Sequence, residues 1–185
     1  MLILEGCVQS VTSPNINTAT AHVLDKLGIQ LIRTKKSECC GAVQHHLAKE
    51  TQAHHVIRSN IDTWWPHIEQ GAEAIAINAS GCGSMIKEYG KLLEHDPAYA
   101  EKAKRISELT RDISEILAEE NLDPLATSAA NRRVAFHSPC TLQHGQKIDD
   151  VVECILQRSG YTLTKTPNPH LCCGSACTYY ILQKQ

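Results

Sequence analysis

Cysteine spacing constrains this chain more than any other feature. Cys7 is followed 32 positions later by Cys39-Cys40-Gly41, and Cys140 is followed 32 positions later by Cys172-Cys173-Gly174. The pattern thus occurs twice, offset by 133 positions, and the flanks agree. Leu2-Ile3-Leu4 precedes the first copy and Val134-Ala135-Phe136 the second, while Leu27-Gly28-Ile29-Gln30-Leu31 matches Ser159-Gly160-Tyr161-Thr162-Leu163. A repeat at a fixed offset reads as two copies of one module. The first is placed at 1–95 and the second at 132–185, joined by a long helix and linker at 96–131.

The first copy carries a further segment, Asn78-Ala79-Ser80-Gly81-Cys82-Gly83. Shifted by 133 positions, its cysteine would fall at 215, past Gln185, so the second module is expected to be incomplete and the chain a fragment. Nine cysteines, an odd number, with no charged leader or cleavage site at Met1-Leu2-Ile3-Leu4, point to a reducing, cytoplasmic setting. There, clustered thiols serve as metal ligands or redox groups. The 18 Lys and Arg nearly balance 20 Asp and Glu, which argues against a nucleic-acid or anionic-membrane surface. No apolar run approaches the roughly 18 residues of a membrane span.

Hydrophobic patterning predicts strands at 2–5, 29–32 and 74–77 in the first module and at 133–137 and 161–165 in the second. Helices are expected from Ser13-Pro14-Asn15 to Gly28, with Ala19, Val23, Leu24 and Leu27 on one face, and over 42–60. Further helices are expected from Gly83 to Leu93, over 98–120 as the longest, and over 145–158. Ile106, Leu109, Ile113 and Leu117 give the 98–120 helix its apolar stripe, and its charges, Asp112 and Glu115 among them, read as a solvated face. Alternating strands and helices define an α/β fold, two related cysteine-rich modules with mainly parallel sheets and flanking helices. Cys7, Cys39, Cys40 and Cys82 then all follow the carboxyl ends of strands, the edge where sites in such sheets form.

Three chemistries compete for these thiols. Structural zinc favours Cys-x2-Cys knuckles, and none occurs here. A vicinal or catalytic disulfide would use one Cys-Cys pair but leaves the companion at fixed spacing without a role. An iron–sulfur cluster accepts thiolates from scattered loops, and adjacent cysteines can reach different irons. This reading is favoured, with Cys7, Cys39, Cys40, Cys82, Cys140, Cys172 and Cys173 as candidate ligands. Cys154 reads as a buried structural thiol, and Cys177 as either an extra ligand or core. His45, His46, His54 and His55 read as an exposed polar helix face. His137, His144 and His170 stand beside cysteines, where they could bond to cluster sulfur or merely to backbone. One ring of Trp64-Trp65-Pro66 is expected in the core, with the second toward a partner. No dinucleotide or phosphate-binding glycine motif is present, so any organic redox cofactor is expected on a partner.

These residues resemble the cysteine-rich CCG domain of heterodisulfide reductases, of lactate-utilisation proteins and, above all, of the iron–sulfur subunits of glycolate oxidase. The resemblance is carried by Leu4-Glu5-Gly6-Cys7-Val8-Gln9, Cys39-Cys40-Gly41-Ala42, Ile61-Asp62-Thr63-Trp64-Trp65-Pro66 and Asn78-Ala79-Ser80-Gly81-Cys82-Gly83. It continues through Lys87-Glu88-Tyr89-Gly90, Phe136-His137-Ser138-Pro139-Cys140-Thr141-Leu142-Gln143-His144 and His170-Leu171-Cys172-Cys173-Gly174-Ser175-Ala176. Met85 stands where the heterodisulfide reductase pattern has another cysteine. The resemblance implies an electron-transfer subunit carrying an iron–sulfur cluster of [4Fe–4S] type. It also implies flavoprotein partner subunits, with FAD on them, that oxidise glycolate to glyoxylate and pass electrons toward the quinone pool, peripheral to the inner face of the membrane. A lactate-utilisation or heterodisulfide-type redox protein, or a docking fragment without redox chemistry, are the alternatives.

Overall fold

The computed structural model describes residues 1–34, 39–125, 132–171 and Gly174. Two short apolar runs form fully buried parallel strands, β1 (Leu2–Leu4) and β3 (Ile75–Ile77), and β2 (Ile32–Arg33), half-buried at Ile32 and exposed at Arg33, pairs with β1. With β4 (Thr110–Asp112) they make a four-stranded sheet in the order β2-β1-β3-β4, parallel throughout. β5 (Arg133–Ala135) and β6 (Thr162–Thr164) form a second, two-stranded parallel sheet. The helices are α1 (Gln9–Thr12), α2 (Pro14–Lys26), α3 (Ala42–His46), α4 (Glu50–Glu69) and α5 (Ser80–Lys87). After them come α6 (Tyr89–Leu92), α7 (Ala100–Leu109), α8 (Ile113–Glu119) and α9 (Val151–Arg158). The expected α/β architecture with parallel sheets and flanking helices is present. Among the described residues no helix is long and apolar enough to cross a membrane.

The main core lies between the sheet and α4, α5 and α7. Ala53, Ile57, Ile61 and Trp64 recur at helical spacing along α4 and are fully buried, the last three in one cluster with Leu2, Leu4, Ile75, Ile86 and Ile106. Trp64 is the ring of the pair that is buried in the core. Trp65 is half-buried: its indole N–H donates to Glu69 Oε1 at 2.8 Å and Lys102 Nζ lies 5.4 Å from its ring centre. The expected 42–60 helix is two helices, broken where Ala48 takes φ 55°. Of the expected α2 face Leu24 is fully buried, Val23 and Leu27 are half-buried and Ala19 is exposed, while Asn17 and Thr20 are buried because they find polar partners beneath the helix.

The helix expected over 98–120 is the principal correction. It divides into α7 and α8 with strand β4 between them. Ile75, Ala76 and Ile77 face Thr110, Arg111 and Asp112 in register, so the segment supplies the ladder partners that β3 would otherwise lack. Asp112 then restarts the helix. Its Oδ1 accepts from Ser114 N–H at 2.9 Å and its own N–H donates to Glu115 Oε2 at 2.8 Å, a capping box. Asp112 is therefore buried rather than solvated, and Glu115 also receives Lys87 Nζ at 2.7 Å. The part of the expected linker at 126–131 lies outside the described residues.

The segment after Cys140 packs on α5. Residues Thr141–Gly145 form one π-helical turn. Ser80 Oγ and Thr141 Oγ1 are 2.7 Å apart, Ser84 Oγ donates to the Thr141 carbonyl at 3.1 Å, and Gln146 Nε2 donates to the Ser80 carbonyl at 3.0 Å. The turn that begins at Cys140 is thereby tied to the helix that carries Cys82.

Candidate functional site

Three adjacent strands deliver four thiols to one edge of the sheet. Cys7 follows β1 through Gly6, Cys39 and Cys40 precede α3, and Cys82 lies in the first turn of α5 after β3. Because β2, β1 and β3 run parallel, their carboxyl ends share an edge. Gly6 at φ 76° and Gly41 at φ 84° hold left-handed turns that a side chain would strain. Both glycines adjoin the cysteines they help to present.

The thiols form a chain of contacts. Cys7 Sγ lies 3.6 Å from Cys39 Sγ and donates to it. Cys39 donates in turn to Cys40, and Cys40 to Cys82. Cys7 is exposed, Cys39 and Cys82 are half-buried and Cys40 is 4% exposed. The Cys40 proton draws Cys82 below its ordinary thiol value, making it the first of the four to ionise. Donation to Cys40, reinforced by burial, pushes Cys39 well up. Cys40 is lowered by the bond it accepts from Cys39, but donation to Cys82 and burial outweigh this and leave it at about 12. Burial, with the bond to Cys39, raises Cys7.

The chain of thiols lines a cleft of about 660 Å³. Val43, Met85, Leu92 and Ile16 contribute apolar wall, and Thr141 approaches from the second sheet's side. Met85 is thus a buried cleft residue at the position where one related pattern has cysteine. His45 is half-buried in the same wall and His54 is half-buried on α4, so neither belongs to the exposed polar face expected for them, whereas His46 and His55 are exposed.

Four soft sulfur donors strung along a wall suit a group with several metal corners. Among the described residues, no three His, Cys, Asp or Glu side chains stand together as a single metal ion would require. The chemistry of four cysteine sulfurs is that of the ligands an iron–sulfide cluster takes.

In the second repeat, Cys140 is half-buried at the start of the π-helical turn. Cys172, Cys173 and Cys177 lie outside the described residues. His137 Nε2 is 3.1 Å from the Leu171 carbonyl and His144 Nε2 is 3.2 Å from the His170 carbonyl, so both pair with backbone. Cys154 is a correction: it is exposed, because the buried side of α9 is carried by Ile155.

Several polar residues that hold the site escape sequence reasoning. Asn78 accepts from Gln9 Nε2 at 2.6 Å and donates to Asn17 Oδ1 at 2.9 Å and Thr20 Oγ1 at 3.0 Å. Asn17 Nδ2 closes the network on the Glu5 carbonyl at 3.0 Å. Asn60 and Tyr89 lie buried beneath the Cys39-Cys40 pair. Gln9, Asn78 and Tyr89 do occur inside the motifs that carry the family resemblance, which is the one sequence signal for them.

A parallel α/β sheet whose carboxyl edge gathers thiols from three loops defines a cysteine-rich redox-type domain. The model of the CCG cysteine-rich domain family matches residues 1–87 and 134–185, and the chain belongs to that family. It is 53% identical over 179 residues to the glycolate oxidase iron-sulfur subunit of Escherichia coli K12, covering 97% of this chain and 44% of that protein. It is 24% identical over 180 residues to the probable glycolate oxidase iron-sulfur subunit of Bacillus subtilis, covering 96% of this chain and 40% of that protein. Lactate utilization protein A of Bacillus licheniformis is 23% identical over 180 residues, with 97% of this chain and 74% of that protein covered. The chain thus spans less than half the length of the two glycolate oxidase relatives.

Proposed function

We propose that the chain is the electron-transfer part of a glycolate oxidase complex, holding an iron–sulfur cluster of [4Fe–4S] type in the cleft through Cys7, Cys39, Cys40 and Cys82. The observation that carries this is the contact chain of four thiols on one sheet edge, in a protein 53% identical to a glycolate oxidase iron-sulfur subunit. A bound cluster would supply one-electron reduction and oxidation without substrate chemistry of its own. The chain's residues would fix the ligand geometry, and the apolar wall of Val43, Met85 and Leu92 would limit solvent, which tunes potential. A second ligand group at Cys140, Cys172 and Cys173 is proposed on the sequence repeat. The proposed partners are flavoprotein subunits that oxidise glycolate to glyoxylate, with FAD on them. Electrons would then leave toward the quinone pool, at the cytoplasmic face of the membrane.

The test is iron and acid-labile sulfide per chain after anaerobic reconstitution, with EPR of the oxidised and reduced forms. Iron and sulfide should bind and give an EPR signal, and Cys39→Ser with Cys40→Ser should abolish the share held by the first ligand group. Reconstitution without retained iron or sulfide would overturn the cluster reading. Addition of flavoprotein subunits with glycolate or with lactate then separates the two relatives' named activities, and reduction by glycolate is expected.

A further inference from the structure

The backbone carbonyls of Cys39 and Cys40 are both taken by buried side chains. Asn60 Nδ2 donates to the Cys39 carbonyl at 2.8 Å, and the Tyr89 hydroxyl donates to the Cys40 carbonyl at 2.8 Å. Asn60 Nδ2 also donates to the Tyr89 hydroxyl oxygen at 3.0 Å, which turns the tyrosine's own hydrogen toward Cys40. Tyr89 is 0% and Asn60 2% exposed, so these are dry, committed hydrogen bonds.

The Cys40 carbonyl and the Gly41 N–H belong to one peptide unit. That unit is planar and trans, so its C=O and N–H point in opposite directions. Gly41 N–H donates to Cys39 Sγ at 3.4 Å. Holding the carbonyl on one side therefore aims the N–H at sulfur on the other.

We infer that Tyr89 is a positioning residue whose hydroxyl, oriented by Asn60, locks the Cys40–Gly41 peptide so that Gly41 N–H is held on the Cys39 sulfur. This rests on the reading of Cys39 as a cluster ligand only for its redox consequence; the positioning itself is a property of the chain. An N–H bond to a ligating sulfur favours the more negative, reduced cluster, so the lock raises the potential.

Tyr89→Phe tests this, since it removes the hydroxyl and keeps the ring that fills the core. In the metal-free, reduced 185-residue chain, iodoacetamide labelling followed by peptide mass spectrometry should show Cys39 reacting about threefold to tenfold more slowly than in the parent, because the lost N–H bond stabilises the reactive thiolate. Exposed Cys154 should keep its rate. In the reconstituted chain, iron and sulfide content should hold while the reduced fraction at fixed ambient potential falls by a similar factor, a tenfold fall in the ratio of reduced to oxidised being about 59 mV.

Asn60→Ala leaves the hydroxyl on Cys40 and should produce smaller changes in both readings. Unchanged Cys39 labelling in Tyr89→Phe, or an equal effect from Asn60→Ala, would overturn the assignment. Hydrogen exchange of the Gly41 amide in the parent gives a check that needs no variant: protection is expected, and exchange at the rate of an unstructured chain would overturn it. If the parent retains no iron, the cluster reading fails, while labelling and exchange still decide the positioning role.

Discussion

The side-chain amide of Gln9 donates to that of Asn78 at 2.6 Å, joining the start of α1, two residues after Cys7, to the loop four residues before Cys82. Through Asn17 and Thr20 the same network reaches α2, so two thiol-bearing loops and a helix share one set of hydrogen bonds.

Asn78→Ala removes three hydrogen bonds at the centre of that network, while Gln9 still donates to Asn17, Asn17 to the Glu5 carbonyl and Thr20 to the Ile16 carbonyl. A loss of about 1–3 kcal/mol of unfolding free energy is expected, the net worth of the lost bonds. Urea denaturation with an unchanged m-value would register it as a lower midpoint.

The thiol pKa values give a pH dependence of defined sign. Cys40 is near 12 in the folded chain against an ordinary 9.0, so between about pH 9 and pH 12 the folded state keeps a proton that the unfolded state has lost. Stability then falls as pH rises through that window, by up to about 1.4 kcal/mol per pH unit for one such group. Cys39 adds in the same direction and Cys82 opposes it. Denaturation of the metal-free, reduced chain at several pH values above 9 should show the decline, and Cys40→Ala should flatten it. A parent midpoint that stays level across the window would refute this account.

Asp112→Ala should cost about 1–2 kcal/mol through loss of the α8 cap, with the buried Ser114 hydroxyl losing its acceptor as well. Because Asp112 also ends β4, hydrogen exchange should accelerate at the β3–β4 pairing before it does at β1. Uniform acceleration over the whole sheet would mean that the cap and the strand are not a local unit.

Legible in the amino-acid order were the repeat, the apolar strands that open each copy and the placement of Cys7, Cys39, Cys40 and Cys82 after strand ends. Those features are local: a run of Leu and Ile is apolar wherever it lies, and a cysteine directly after it must emerge at the strand's end. What depends on partners distant in the chain was settled by packing. Thr110-Arg111-Asp112 carries a helical pattern on both sides and becomes a strand only because β3 offers an unpaired edge. Asn60, Tyr89 and Asn78 look like ordinary polar or aromatic positions, yet each is buried or half-buried against a carbonyl or amide at least 21 positions away. Cys154 and Asp112 exchanged their expected environments for the same reason. Burial of a single side chain is set by what packs over it, and hydrophobic periodicity records only the face of its own element.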